Sequence, residues 1–128
     1  MIGYVTLGTN DLERARAFYD GLLAEIGATR LLQLPHGFTM WGTAMNRPGL
    51  VVTPPNDGGQ AVPGNGNMAA LIVDSREKVD RLHAKALELG GTCEGPPGLR
   101  GPEELGKYFA YFRDLDGNKL ALFRIGPA

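Results

Sequence analysis

The stretch "YVTLGTNDLERARAFYDGLLAEIG", residues 4–27, decides the fold. Tyr4 to Gly8 open with aromatic and β-branched residues, as a strand does. From there Ala15, Phe18, Tyr19, Leu22, Leu23 and Ile26 recur at helical spacing, one apolar stripe on an otherwise charged helix. Asn10 is the expected cap. Glu13 stands three residues on, where its carboxylate can reach back to the cap, and Gly27 supplies a left-handed stop.

The pattern recurs at an offset of 64, half of the 128 residues. Asp74 becomes the cap, Glu77 its partner, Gly91 the stop, and Val79, Leu82, His83, Ala86 and Leu87 the stripe. Leu7, Glu13, Leu23 and Gly27 meet identical residues at 71, 77, 87 and 91. Identities at cap, core and stop positions indicate an internal duplication. Three strands follow each helix: "RLLQL", "FTMWGTA" and "LVVT", then "TCE", "KYFAYFR" and "KLALFRI", with turns at "PHG", "NRPG" and "DLDGN". The reading is an α+β domain of two tandem βαβββ modules, residues 1–53 and 68–128, joined by a Pro/Gly-rich linker 54–67. "GPPGLRGPEELG", residues 95–106, reads as a loop long enough to act as a lid.

The chain is 43% hydrophobic and 21% charged with a formal net charge of −1. This is an ordinary balance for one globular domain and offers nothing to attract a phosphate backbone, so nucleic acid is not an expected partner. No run approaches the roughly 20 apolar residues of a membrane helix, and the N-terminus lacks a basic region leading into an apolar one. A single cysteine, Cys93, suits a reducing compartment. A cytoplasmic protein without a membrane partner is expected. The glycine-rich "GPPGLRG" and "GNGN" lack the Gly-Lys-Ser/Thr ending of a phosphate loop.

A duplicated βαβββ unit of this length resembles the vicinal oxygen chelate superfamily, which includes glyoxalase I, bleomycin-resistance proteins, extradiol dioxygenases and fosfomycin-resistance enzymes. "VTLGTNDLERARAFYDGLL" looks like the family's opening strand and helix, and "YFRDLDGNKLALF" like its closing hairpin. The resemblance implies two sheets forming a cup, usually with a divalent metal on its floor, and a homodimer. It puts the four metal-ligand positions at Tyr4, Val51, Met68 and Ala121. Val and Ala offer no lone pair, a thioether suits soft metals, and a phenol ligates well only once ionised. No metal and no other cofactor is therefore expected.

Strand alternation, placed in the family's geometry, turns Tyr4 and Thr6 toward the cup. Met68 and Ala70 face it from the second module, and Phe109 and Tyr111 stand beside Ala121 and Phe123. Val51 and Trp41 complete the pocket. Its aromatic, apolar composition is that of a site for a small organic molecule. Three functions remain open. The first is a metal-independent binder of a small apolar or aromatic ligand. The second is a glyoxalase-type enzyme (lactoylglutathione lyase-like, a lyase or transferase) with a non-standard site, for which Tyr4 and Tyr111 are the only proton-transfer candidates. The third is a non-catalytic interaction module whose cup is filled by side chains. Outside the cup, His83 reads as a structural histidine on the helix stripe, His36 as a solvated turn residue and Cys93 as an inert thiol. Arg100, in the lid-like loop, has either an anionic ligand or solvent to meet. Lys119 and Arg113 decorate the edge of the last hairpin.

Overall fold

A computed structural model describes all residues, 1–128. The first half supplies β1 (Tyr4–Gly8), α1 (Leu12–Ala24), β2 (Thr29–Gln33), β3 (Thr39–Gly42) and β4 (Gly49–Thr53). The second supplies β5 (Ala69–Ile72), α2 (Arg76–Glu88), β6 (Thr92–Leu99), β7 (Lys107–Arg113) and β8 (Lys119–Ile125). The helices are 13 residues long and begin at 12 and 76, so the offset of 64 holds in space as in sequence.

Each half folds into a four-stranded mixed sheet, ordered β1-β4-β3-β2 and β5-β8-β7-β6. The first strand of each half lies parallel to the last, with Thr6 opposite Val51 and Ala70 opposite Ala121. The sheets are not closed into a barrel, and β1 and β5 remain edge strands.

One face of each sheet packs under the helices into a shared core of 18 buried residues. Phe18 stacks edge-on to Tyr19 at 5.0 Å and meets Phe112 of the other half at 6.3 Å between centroids. Each such side chain contributes roughly 1.5–3 kcal/mol by leaving water. The helices approach where Gly21 faces Leu89; a Cβ at position 21 would lie 3.1 Å from a Leu89 methyl. The β7–β8 turn then clasps the first half. Asn118 donates its side-chain amide to the Gly8 carbonyl at 2.9 Å, and the Asn10 backbone N–H donates to Asp116 at 2.9 Å.

Local details differ from the sequence reading. Asp11, not Asn10, caps α1, accepting from the Arg14 N–H, because the Asn10 side chain exchanges two hydrogen bonds with the backbone of Ala61 in the linker. Ser75 rather than Asp74 caps α2, since Asp74 pairs with Lys78 at 2.8 Å. Glu13 and Glu77 pair with Arg16 and Arg81 instead of closing capping boxes. The left-handed residue after α2 is Gly90, at φ 102°, one before the expected Gly91. The lid-like stretch begins as strand: β6 runs through Leu99, and bulges between Cys93 and Gly98 keep Pro96 and Pro97 out of the hydrogen-bonded ladder. A single 3-10 turn, Glu103–Leu105, then leads into β7.

Candidate functional site

The faces turned away from the helices carry the candidate residues. On the first sheet, Tyr4 and Thr6 share a face with Gly49 and Val51 through β1–β4 pairing, and Met40 joins them opposite Val51. Tyr4 is 52% exposed, and its ring meets Phe38 edge-on at 5.7 Å. On the second sheet, Tyr111 pairs with Ala121 and Ala121 with Ala70, while Phe109 pairs with Phe123 and Phe123 with Ile72. The rings of Phe109 and Phe123 stack at 5.0 Å and 10°, and Tyr111 lies 6.0 Å from Phe109 at 18°. All three rings are half-buried. Between the edge strands run two cavities. One, of about 480 Å³, is lined by Thr6, Met68, Asn118 and Lys119 among others. The other, of about 460 Å³ and largely apolar, touches Val5, Met68 and Ala70.

Trp41 does not join the open face. Met40 takes that place, so alternation sends the indole into the core, 1% exposed, 5.7 Å from the Tyr19 ring. Its Nε1–H donates to Asp20 at 2.9 Å. Arg30 grips the same carboxylate through two N–H groups, and those bonds hold Asp20 below the usual carboxylate range.

The open faces hold residues that alternation alone had left aside. Arg100 curls back along β6: Nη1 donates to the Gly98 carbonyl at 3.0 Å and Nη2 to the Pro96 carbonyl at 2.8 Å, which sets the guanidinium 5.5 Å from the Tyr111 ring centroid. Lys119 places its ammonium 5.4 Å from the same centroid. Arg113 pairs with Glu94 at 2.7 Å and holds that carboxyl low. Tyr111 thus carries two cations, a pattern that the parity of Lys119 with Ala121 and Phe123 could have suggested.

His83 sits 6% exposed on α2 with Nε2 unpartnered, and burial lowers its pKa below the ordinary 6.5. It is away from the open face. His36 lies 6.3 Å from Phe38 at the turn before β3, and Cys93 is exposed on β6.

At the four positions that the resemblance puts forward as metal ligands, Tyr4 and Met68 offer a phenol and a thioether, and the fully buried Val51 and Ala121 offer hydrocarbon. This donor set does not fit a divalent ion. Nowhere do three or more His, Cys, Asp or Glu side chains cluster closely enough to hold one. No helix is long and apolar enough to cross a membrane.

The chain belongs to the glyoxalase/bleomycin resistance protein/dioxygenase superfamily, whose model matches residues 1–122. A glyoxalase/bleomycin resistance protein from Albidiferax ferrireducens T118 is similar at 34% identity, with 96% of this chain and 97% of that one covered and a TM-score of 0.83. Hypothetical protein SA1046 from S. aureus is 25% identical over 96% of this chain and 91% of that one, with a TM-score of 0.72. A lactoylglutathione lyase from Agrobacterium tumefaciens shares the fold, at 22% identity over 96% and 92% of the two chains and a TM-score of 0.66. No curated protein matches the chain.

Proposed function

We propose that the chain binds a small apolar or aromatic molecule between its open sheet faces, without a metal. The stacked Phe109, Tyr111 and Phe123 carry this reading. Three large rings in near-parallel array remain half-exposed on a sheet face that no helix covers. Had the cup been filled as core, such rings would be sealed like Phe112, which is 0% exposed. A ligand ring offers them the stacking partner they lack, worth about 0.5–1.5 kcal/mol per aromatic pair beyond burial. The poor fit of the four ligand positions to a divalent ion supports metal independence.

The free edges of β1 and β5 support a homodimer. Ile2, Tyr4, Val5, Met68 and Ile72 are exposed along them, and an uncovered apolar edge is a template for another strand.

A melting screen of pure protein in chelator-containing buffer tests the ligand reading. Aromatic compounds should raise the melting temperature in proportion to the logarithm of their concentration. A diverse panel in which none does so would sink it.

A further inference from the structure

We propose that the ligand is anionic as well as aromatic: a planar ring bearing a carboxylate or similar group, its ring against Phe109 and Phe123 and its anion between Arg100 and Lys119. This rests on the small-molecule reading above and narrows its chemical class.

Two cations share one ring on this face, and neither has a carboxylate within 4.0 Å. The carboxylate of this edge, Glu94, is engaged at 2.7 Å by Arg113. A ring quadrupole attracts a cation but does not neutralise it, and Glu94 acts on Lys119 only from beyond contact distance, so the two positive charges gathered at Tyr111 favour an arriving anion.

Arg100 is also held in place. Its hydrogen bonds to backbone carbonyls fix the guanidinium, and glycines make the room: a Cβ at Gly95 would lie 3.3 Å from Nη2, and one at Gly98 3.2 Å from Nη1. Ordering a free arginine on ligand arrival costs side-chain entropy, and here that ordering precedes binding. The N–H groups of a guanidinium not taken by carbonyls suit an oxyanion.

The surrounding row is small apart from its phenol. Gly95, Tyr111, Ala121 and Ala70 run across the four strands, and Ala70 is exposed. The next row presents the stacked Phe109 and Phe123. Lys119 also lines the roughly 480 Å³ cavity with Thr6 and Met68, so the cationic end of the aromatic face opens into space between the sheets.

The test is calorimetric titration of pure protein at low salt with 2-naphthoate and its neutral isostere 2-naphthamide. The expected result is a roughly tenfold preference for the carboxylate. That preference should shrink with added salt and fall to about threefold or less in Lys119→Gln. Lys119→Gln leaves the β6 bulge untouched. Arg100→Gln should reduce the preference too, and Arg100→Lys should partly retain it; melting curves report whether each variant is folded. Equal affinities for acid and amide would overturn the inference while leaving the small-molecule reading intact. A preference unchanged in both Lys119→Gln and Arg100→Gln would overturn it as well. Binding of neither compound, together with a silent melting screen, would remove both readings.

Discussion

The phenol of Tyr19 donates a 2.6 Å hydrogen bond to Oδ2 of Asp114, joining the first helix to the last hairpin across 95 residues. Asp114 also accepts from the N–H groups of Asp116 and Asn118 and from the Asn118 side chain, so one buried carboxylate shapes the turn and ties the two halves together. Tyr19→Phe removes a bond to a charged group and should cost about 1.5–3 kcal/mol. Urea unfolding should show a lower midpoint at unchanged slope. A loss under about 0.5 kcal/mol, within the range of ordinary surface changes, would mean that the contact does not hold the halves together.

The same contact predicts an alkaline limit. Burial, and then the charge of Asp114, raises the Tyr19 pKa well above 10.0. The neutral phenol therefore contributes stability that is complete below pH 10 and is lost as pH rises above it toward the folded-state value. Tyr108, raised by its bond to Asp80, adds a smaller component. Denaturation midpoints between pH 9 and 11 should fall more steeply in the parent than in Tyr19→Phe; parallel slopes would contradict this assignment.

His83 predicts the acid side. Its folded pKa lies below 6.5, chiefly through burial, so the unfolded chain binds a proton that the folded chain refuses. Stability from this group is present above pH 6.5 and is lost as pH falls below it. His83→Leu should flatten that part of the stability curve. A variant with the same slope between pH 5 and 7 would place the acid sensitivity elsewhere.

The two faces of the second sheet should respond unequally to truncation. Phe112→Ala, on the sealed face, should cost about 3–5 kcal/mol. Phe123→Ala, on the open face, should cost about 1 kcal/mol and weaken an aromatic ligand about tenfold. Equal stability losses would show Phe123 to be core.

The duplication was legible because it is written in local terms. The bounds read for the last two strands, "KYFAYFR" and "KLALFRI", are those observed. The first cap lies one residue beyond the expected position because the Asn10 side chain bonds a linker residue 51 positions away, which no local pattern reveals. Trp41 lies on the core side of β3, where it also borders the apolar cavity, and because all four residues of β3 are buried the strand carries no polar alternation to read. Pro96 and Pro97 signalled a loop, correctly for a regular ladder, but bulges let the strand continue past them. The seat of Arg100 lies within five residues of it, but the bulged backbone that presents those carbonyls follows no periodic pattern.

The most direct measurement is the metal content of protein purified without chelators, by elemental mass spectrometry, in equivalents per chain. Metal-independent binding by Tyr4, Tyr111 and their neighbours predicts zinc, nickel, iron and manganese all far below one equivalent. One equivalent of any of them, retained through gel filtration, would contradict it and make glyoxalase-type chemistry the leading reading.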